Sequence, residues 1–203
     1  MIDIKKAIEE ADKLTSKIDS DVMSELKGLS SPRVRHLLNN LASQAKSYLE
    51  VGCYLGGTLR AALHGNEHLT AYAVDNFSMS PDTRNQFFKN TDMLKFEFFE
   101  EDSFSLDVKK IKQPIELYFF DGCHSVDAQY KAVTHFLPAM ADEFVMVIDD
   151  WDMNKVRVGT HTAMIDYKIK PIEKYELKGA SGESEEKRHE TWWGGLACFL
   201  IRK

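Results

Sequence analysis

Glu50, Gly52 and Gly56 lie in the run Tyr48-Leu49-Glu50-Val51-Gly52-Cys53-Tyr54-Leu55-Gly56-Gly57-Thr58-Leu59. The spacing E-x-G-x-x-x-G describes a strand that ends near an acid and turns through glycines into a helix. Glycine lets backbone approach a ligand where a Cβ would stand in the way, and the first N–H groups of the helix point at whatever sits there. The expected ligand is nucleotide-like. A phosphate-cradling P-loop would need Lys after its last glycine, whereas Gly57 is followed by Thr58 and Leu59. A dinucleotide loop would need glycine where Tyr54 stands, because a side chain there crowds the pyrophosphate. Glu50 is then expected to meet a polar or cationic group of the ligand.

Asp121-Gly122-Cys123-His124 is the second chemically loaded segment. A histidine has an ordinary pKa of about 6.5 and is suited to take a proton at neutral pH. Asp75-Asn76, Asp102-Ser103 and Asp149-Asp150-Trp151-Asp152 add further acids. Asp75 is placed to accept the hydroxyls of a ribose, or else to cap a turn. Asn76 and Phe77 are expected beside it. Trp151, Trp192 and Trp193 offer an aromatic wall on which sugars or planar acceptors stack, or else pack on the final strands.

These residues need elements that bring them together. Apolar runs at Tyr48–Val51, Leu69–Val74, Leu94–Phe99, Ile115–Phe120 and Phe144–Ile148 read as five strands. Ile115–Phe120 is apolar nearly throughout, as expected where helices cover both faces of a sheet. Between the strands lie helical patterns: one starting at Ser80-Pro81, and one capped by Ser125 with Val126, Tyr130, Val133 and Leu137 on one side. The first quarter also reads as helix, with Ile4, Ile8 and Ala11 on one face, Val22 and Leu26 after a break, and a third helix opened by Ser31-Pro32. Alternating strands and helices predict a parallel α/β sheet with right-handed crossovers. Ile172–Leu177 and Leu196–Ile201 are joined only by a charged Gly/Ser/Glu loop with no room for a crossover helix, so they are expected to be antiparallel. In such a sheet ligands bind beyond the carboxyl ends of the strands. Every one of the first five strands ends at the acids named above.

With these motifs the chain resembles the class I S-adenosyl-L-methionine (SAM) methyltransferases. It is most similar to the group with D-G-x-H after strand four, related to catechol and sugar O-methyltransferases. The resemblance runs from Tyr48 to the C-terminus. It implies a Rossmann-like α/β fold: a mostly parallel seven-stranded sheet with an antiparallel C-terminal hairpin strand, helices on both faces and extra N-terminal helices. It implies that SAM is held by Glu50, Gly52, Cys53, Tyr54, Gly56, Thr58, Asp75, Asn76, Asp102, Ser103 and Asp121, with Asp102-Ser103 reaching the adenine. It also implies that Asp121 and His124 are catalytic. His124 stands where catechol enzymes carry the lysine that deprotonates the acceptor hydroxyl. Asp121, Asp149 and Asp150 would supply three hard oxygen ligands to a magnesium ion, or else orient substrate and cap the next helix without metal.

The chain's 203 residues, 43 % of them hydrophobic, predict one domain over 1–203, with a helical cap (1–46) on an α/β core (47–203). The net charge of −6 argues against a nucleic-acid partner. Cys53, Cys123 and Cys198 are odd in number and lack metal-ligand spacing, which favours a reducing compartment. Asp3, Lys5, Lys6, Glu9 and Glu10 interrupt any apolar leader, and no apolar run approaches the ~20 residues of a membrane span, so a cytoplasmic protein is expected. The N-terminal helices are expected to form a lid or a homodimer surface. The expected activity is SAM-dependent O-methylation of a small hydroxylated acceptor such as a sugar or metabolite. A metal-dependent oxidative enzyme on the same fold, or a non-catalytic SAM-binding subunit, are the alternatives.

Overall fold

The computed structural model describes residues 1–79 and 82–203. Three helices lead: α1 (Ile4–Asp12), α2 (Ser20–Glu25) and α3 (Pro32–Ala42). Alternation follows: β1 (Ser47–Val51), α4 (Gly57–Leu63), β2 (Thr70–Val74), α5 (Thr83–Thr91), β3 (Glu97–Phe99), β4 (Ile115–Phe120), α6 (Val126–Thr134), β5 (Met140–Asp149) and α7 (Asn154–Asp166). The chain closes with β6 (Pro171–Leu177), α8 (Glu185–His189) and β7 (Leu196–Arg202). Among the described residues the strands form one seven-stranded sheet in the order β3-β2-β1-β4-β5-β7-β6. The pairs from β3 to β5 are parallel, and β7 runs antiparallel to both β5 and β6. This is the expected sheet, closed by the expected hairpin.

Two apolar layers explain why central strands have no polar face. Alternate residues of β1 and β4 face opposite ways: Tyr48, Leu117 and Phe119 pack with α1, α3 and α4, whereas Leu49, Val51, Tyr118 and Phe120 pack with α6 and α7. The helix caps fall where the sequence places them. Ser31 accepts a hydrogen bond from Val34 N, and Ser125 accepts one from Ala128 N. The helix start expected at Ser80-Pro81 lies outside the described residues. No helix among the described residues is long and apolar enough to cross a membrane.

Three local expectations change. The third strand begins at Glu97 rather than Leu94, because Leu94 N bonds Thr91 O in the turn that closes α5. The fifth strand begins at Met140, well before Phe144. The polar Ala141-Asp142-Glu143 stretch extends it, and Glu143 pairs with Arg202 across to β7 at 2.6 Å. The β6–β7 loop holds the short helix α8, capped by Ser184, with Glu185 and Glu186 in its first turn and basic residues in its last.

Candidate active site

A cavity of about 560 Å³ opens where the carboxyl ends of β1, β2, β4 and β5 meet, and the segment after β3 reaches it too. That volume lies within the roughly 300–1,000 Å³ of small-molecule sites. Of the residues expected to bind or react, Gly52, Cys53, Tyr54, Thr58, Asp75, Asn76, Asp102, Ser103, Asp121, His124, Asp149 and Asp150 line it. Glu50 and Gly56 do not.

Glu50 is fully buried beneath the glycine turn. Its carboxyl accepts hydrogen bonds from the Tyr48 hydroxyl and, at 2.7 Å, from the Thr58 hydroxyl. Burial pushes its pKa up to about 8, against the two hydroxyl donors. At neutral pH it is an uncharged brace between β1 and α4, and it does not touch the cavity.

The glycines also serve a purpose within the fold. A Cβ on Gly52, at φ +88°, would overlap the carbonyl oxygen of Asp121 on the neighbouring strand. A Cβ on Gly56, at φ +80°, would meet Thr91 Cγ2 at 2.7 Å on α5. Both glycines let chain approach chain, and Gly52 also lines the cavity together with Cys53 and Tyr54. Asp75 holds that backbone: one carboxylate oxygen accepts from Cys53 N at 2.7 Å and Tyr54 N at 2.8 Å, and the other from Phe77 N at 2.7 Å. A carboxylate has about four acceptor positions, so one is left for a ligand hydroxyl.

Beyond the loop the acids cluster. His124 Nε2 lies 3.0 Å from Asp150 Oδ2 and 3.8 Å from Asp121 Oδ1. Two nearby carboxylates drive the imidazole up to about 10, so it is an imidazolium at neutral pH. The two carboxylates thus favour the charged form of His124 over the neutral form that a proton acceptor needs. Burial raises Asp121 to about 6, with Asp150 adding repulsion, and holds Asp149 well above the usual carboxylate range. The three donor groups that converge are Asp121, His124 and Asp150, within 4.8 Å of one another. Asp149, the remaining expected carboxylate, is not one of these three but lies beside Asp121. Asp150, at φ +53°, sets its carboxylate 3.0 Å from His124 Nε2, and Asp149 lines the same cavity.

Residues missed in the sequence complete the walls: Gly28, Leu29 and Ser30 from the α2–α3 loop, Phe104, Met153, and Arg188 from the β6–β7 connection, beside the expected Trp193. Gly57 packs so closely on the carbonyl of Lys27 that the α2–α3 loop is drawn over the start of α4. Trp193 reaches the cavity because Trp151 N and Asp152 N bond the carbonyls of Gly195 and Gly194. Arg188 stacks on it, 4.0 Å from the ring centre. Trp151 is turned away into the layer beneath, where its Nε1 donates to Glu176 at 2.7 Å, and Trp192 packs into the opposite layer. The aromatic wall is therefore one tryptophan. Tyr54, Phe77, Asp150 and Trp193 all line the cavity and all have positive φ, between +50° and +58°. Strained backbone of this kind gathers at functional sites.

Comparison with known proteins gives a consistent picture. The family model described as "Methyltransferase domain" matches residues 49–151. No curated protein matches the chain. Among solved structures, the O-methyltransferase TomG of Streptomyces achromogenes, in complex with SAM, is 12 % identical with a TM-score of 0.66, and the match covers 100 % of both chains. An O-methyltransferase from Bacillus cereus, in complex with S-adenosylhomocysteine (SAH), is 11 % identical over 98 % of this chain and 100 % of its own, with a TM-score of 0.66. The SAH-bound methyltransferase PaMTH1 of Podospora anserina is 14 % identical over 97 % and 88 %, with a TM-score of 0.56.

Proposed function

This chain belongs to the methyltransferase domain family, and we propose that it methylates a hydroxyl of a small molecule, a sugar or similar metabolite, with SAM as the methyl donor. The observation that carries this reading is that the loop at Cys53-Tyr54, Asp75, Asp102-Ser103 and the Asp121–His124–Asp150 cluster open onto one cavity. The solved O-methyltransferases that share this fold hold SAM or SAH.

The cofactor supplies an electron-poor sulfonium methyl group. The chain must hold an acceptor oxygen in line with that methyl and relieve it of its proton, so positioning and proton transfer carry most of the catalysis. The backbone of Cys53 and Tyr54, the spare acceptor position on Asp75, and Asp102-Ser103 hold the nucleoside end. The acceptor hydroxyl lies at the cluster. There the carboxylate of Asp121, raised to about 6, takes its proton, and the imidazolium of His124 steadies the oxygen as charge develops. Leu29, Phe77, Met153 and Trp193 close the walls against water.

Calorimetric titration with SAH, with NAD as control, tests the reading. Micromolar SAH binding without NAD binding supports it. Binding of NAD alone, or of neither, refutes it.

A further inference from the structure

We propose that Arg188 determines acceptor specificity, and that the acceptor is a small hydroxylated carboxylic acid, of the sugar-acid or hydroxybenzoate kind, whose carboxylate Arg188 holds side-on. That this molecule's hydroxyl is methylated rests on the reading above; the seat for its anion rests on the cavity alone. Among the described residues, Arg188 is the one Arg or Lys that lines the cavity. Its guanidinium has no ion-pair partner among them, and its Nε is buried without a hydrogen bond. A buried donor left unpaired is costly, the more so when it is charged.

The fold holds this guanidinium in place. Its Cζ stands 4.0 Å from the centre of the Trp193 ring, and His189 meets the same indole at 5.0 Å between ring centres. The end of α8 therefore grips Trp193 with two consecutive residues. Trp193 is itself buried, and its carbonyl accepts from Ala180 N at 2.8 Å. A guanidinium stacked on a ring keeps its plane while the N–H groups along its edge stay available. Nε and one Nη share an edge and match the two oxygens of a carboxylate. The orphaned Nε is one of that pair.

This edge stands at the acceptor end of the cavity. Gly194, next to Trp193, packs so closely on Asp150 that a Cβ there would overlap Asp150 Oδ1. Asp150 is in turn 3.0 Å from His124. The stacked pair thus borders the cluster where the hydroxyl is proposed to lose its proton, away from the nucleoside end at Asp75 and Asp102-Ser103. The cluster leaves Arg188 unmatched because Asp121 and Asp150 both face His124. Charge selects a carboxylate over a phosphate. One guanidinium balances one negative charge, whereas Asp121, Asp149 and Asp150 line the same cavity beside a single imidazole and disfavour a dianion.

The test is calorimetric titration of the full chain, free and with saturating SAH, with matched probes: glucuronate against glucose, protocatechuate against its methyl ester, and a hexose monophosphate. In at least one pair the acid should bind at least about 10-fold more tightly than its neutral partner, as one charge-assisted bidentate contact supplies. Arg188→Gln should remove that preference. Arg188→Lys should restore part of it, because an ammonium keeps the charge and loses the planar fork. Circular dichroism and SAH titration of each variant report its folding. Equal binding within both pairs, no probe bound at millimolar concentration, the phosphate bound more tightly than either acid, or a preference that survives Arg188→Gln would each overturn the proposal. The two readings fail separately: an Arg188-dependent preference for the acid in a chain that binds no SAH sinks the methyl-transfer reading alone, and SAH binding with no such preference sinks this one alone.

Discussion

Replacing Glu50 by glutamine should change how the stability of this protein depends on pH. Glu50 is fully buried, and its pKa is raised from an ordinary 4.5 to about 8 in the fold. Below pH 4.5 the folded and unfolded chains both carry the proton, and the group contributes no pH dependence. Between 4.5 and 8 only the folded chain keeps it, so the folded state binds more protons and stability falls as pH rises. Over the whole interval the loss is about 5 kcal/mol, of which about 3 to 4 kcal/mol falls between pH 5 and pH 8. A glutamine side chain has nearly the same shape and can still meet Tyr48 and Thr58, but it has no proton to lose. Urea unfolding of the parent and Glu50→Gln at pH 5, 6, 7 and 8 isolates the effect, because every other titrating group cancels in the difference. The variant should gain on the parent by about 3 to 4 kcal/mol across that range, a large share of the 5–15 kcal/mol typical of a domain. SAH affinity should be unchanged, since Glu50 does not reach the cavity. Parallel stability curves would mean that Glu50 is ionised in the fold and that the two hydroxyl donors outweigh its burial. A loss of SAH affinity would mean that it acts on the ligand after all.

Two further perturbations address the loop that faces the ligand. Gly52→Ala combines φ +88° with overlap on the Asp121 carbonyl, so it should cost about 3 kcal/mol or more in urea unfolding; a cost below about 1 kcal/mol would show that the β1 and β4 ends separate easily. Asp75→Ala frees Cys53 N, Tyr54 N and Phe77 N at once. SAH titration should then show affinity falling by more than about 10-fold, or roughly 1.4 kcal/mol, and an unchanged affinity would remove Asp75 from the proposed site.

Much of the cavity was legible in the sequence because a parallel sheet has one chemical rule. Every strand's carboxyl end reaches the same edge, so Gly52, Asp75, Asp121 and Asp149-Asp150 were bound to meet once the strands were found. The antiparallel hairpin followed from the lack of a crossover helix between Leu177 and Leu196. What could not be read was anything set by close approach between distant segments. Arg188 enters the cavity from a charged loop that has no periodicity of its own, and Leu29 enters because Gly57 admits the backbone of Lys27.

The same division runs through single residues. That Glu50 is an acid at a strand end is in the sequence; that it is a neutral, buried brace depends on Tyr48, Thr58 and the packing above them. That His124 follows Asp121 by three residues is in the sequence; that Asp150, and not Asp149, completes its group depends on a left-handed turn at the end of β5. Local order along the chain determined which residues share an edge of the sheet, because strand direction and side-chain alternation are local properties. Tertiary structure alone decided charge, burial and donor partnership, because these depend on which distant atoms fill the remaining space.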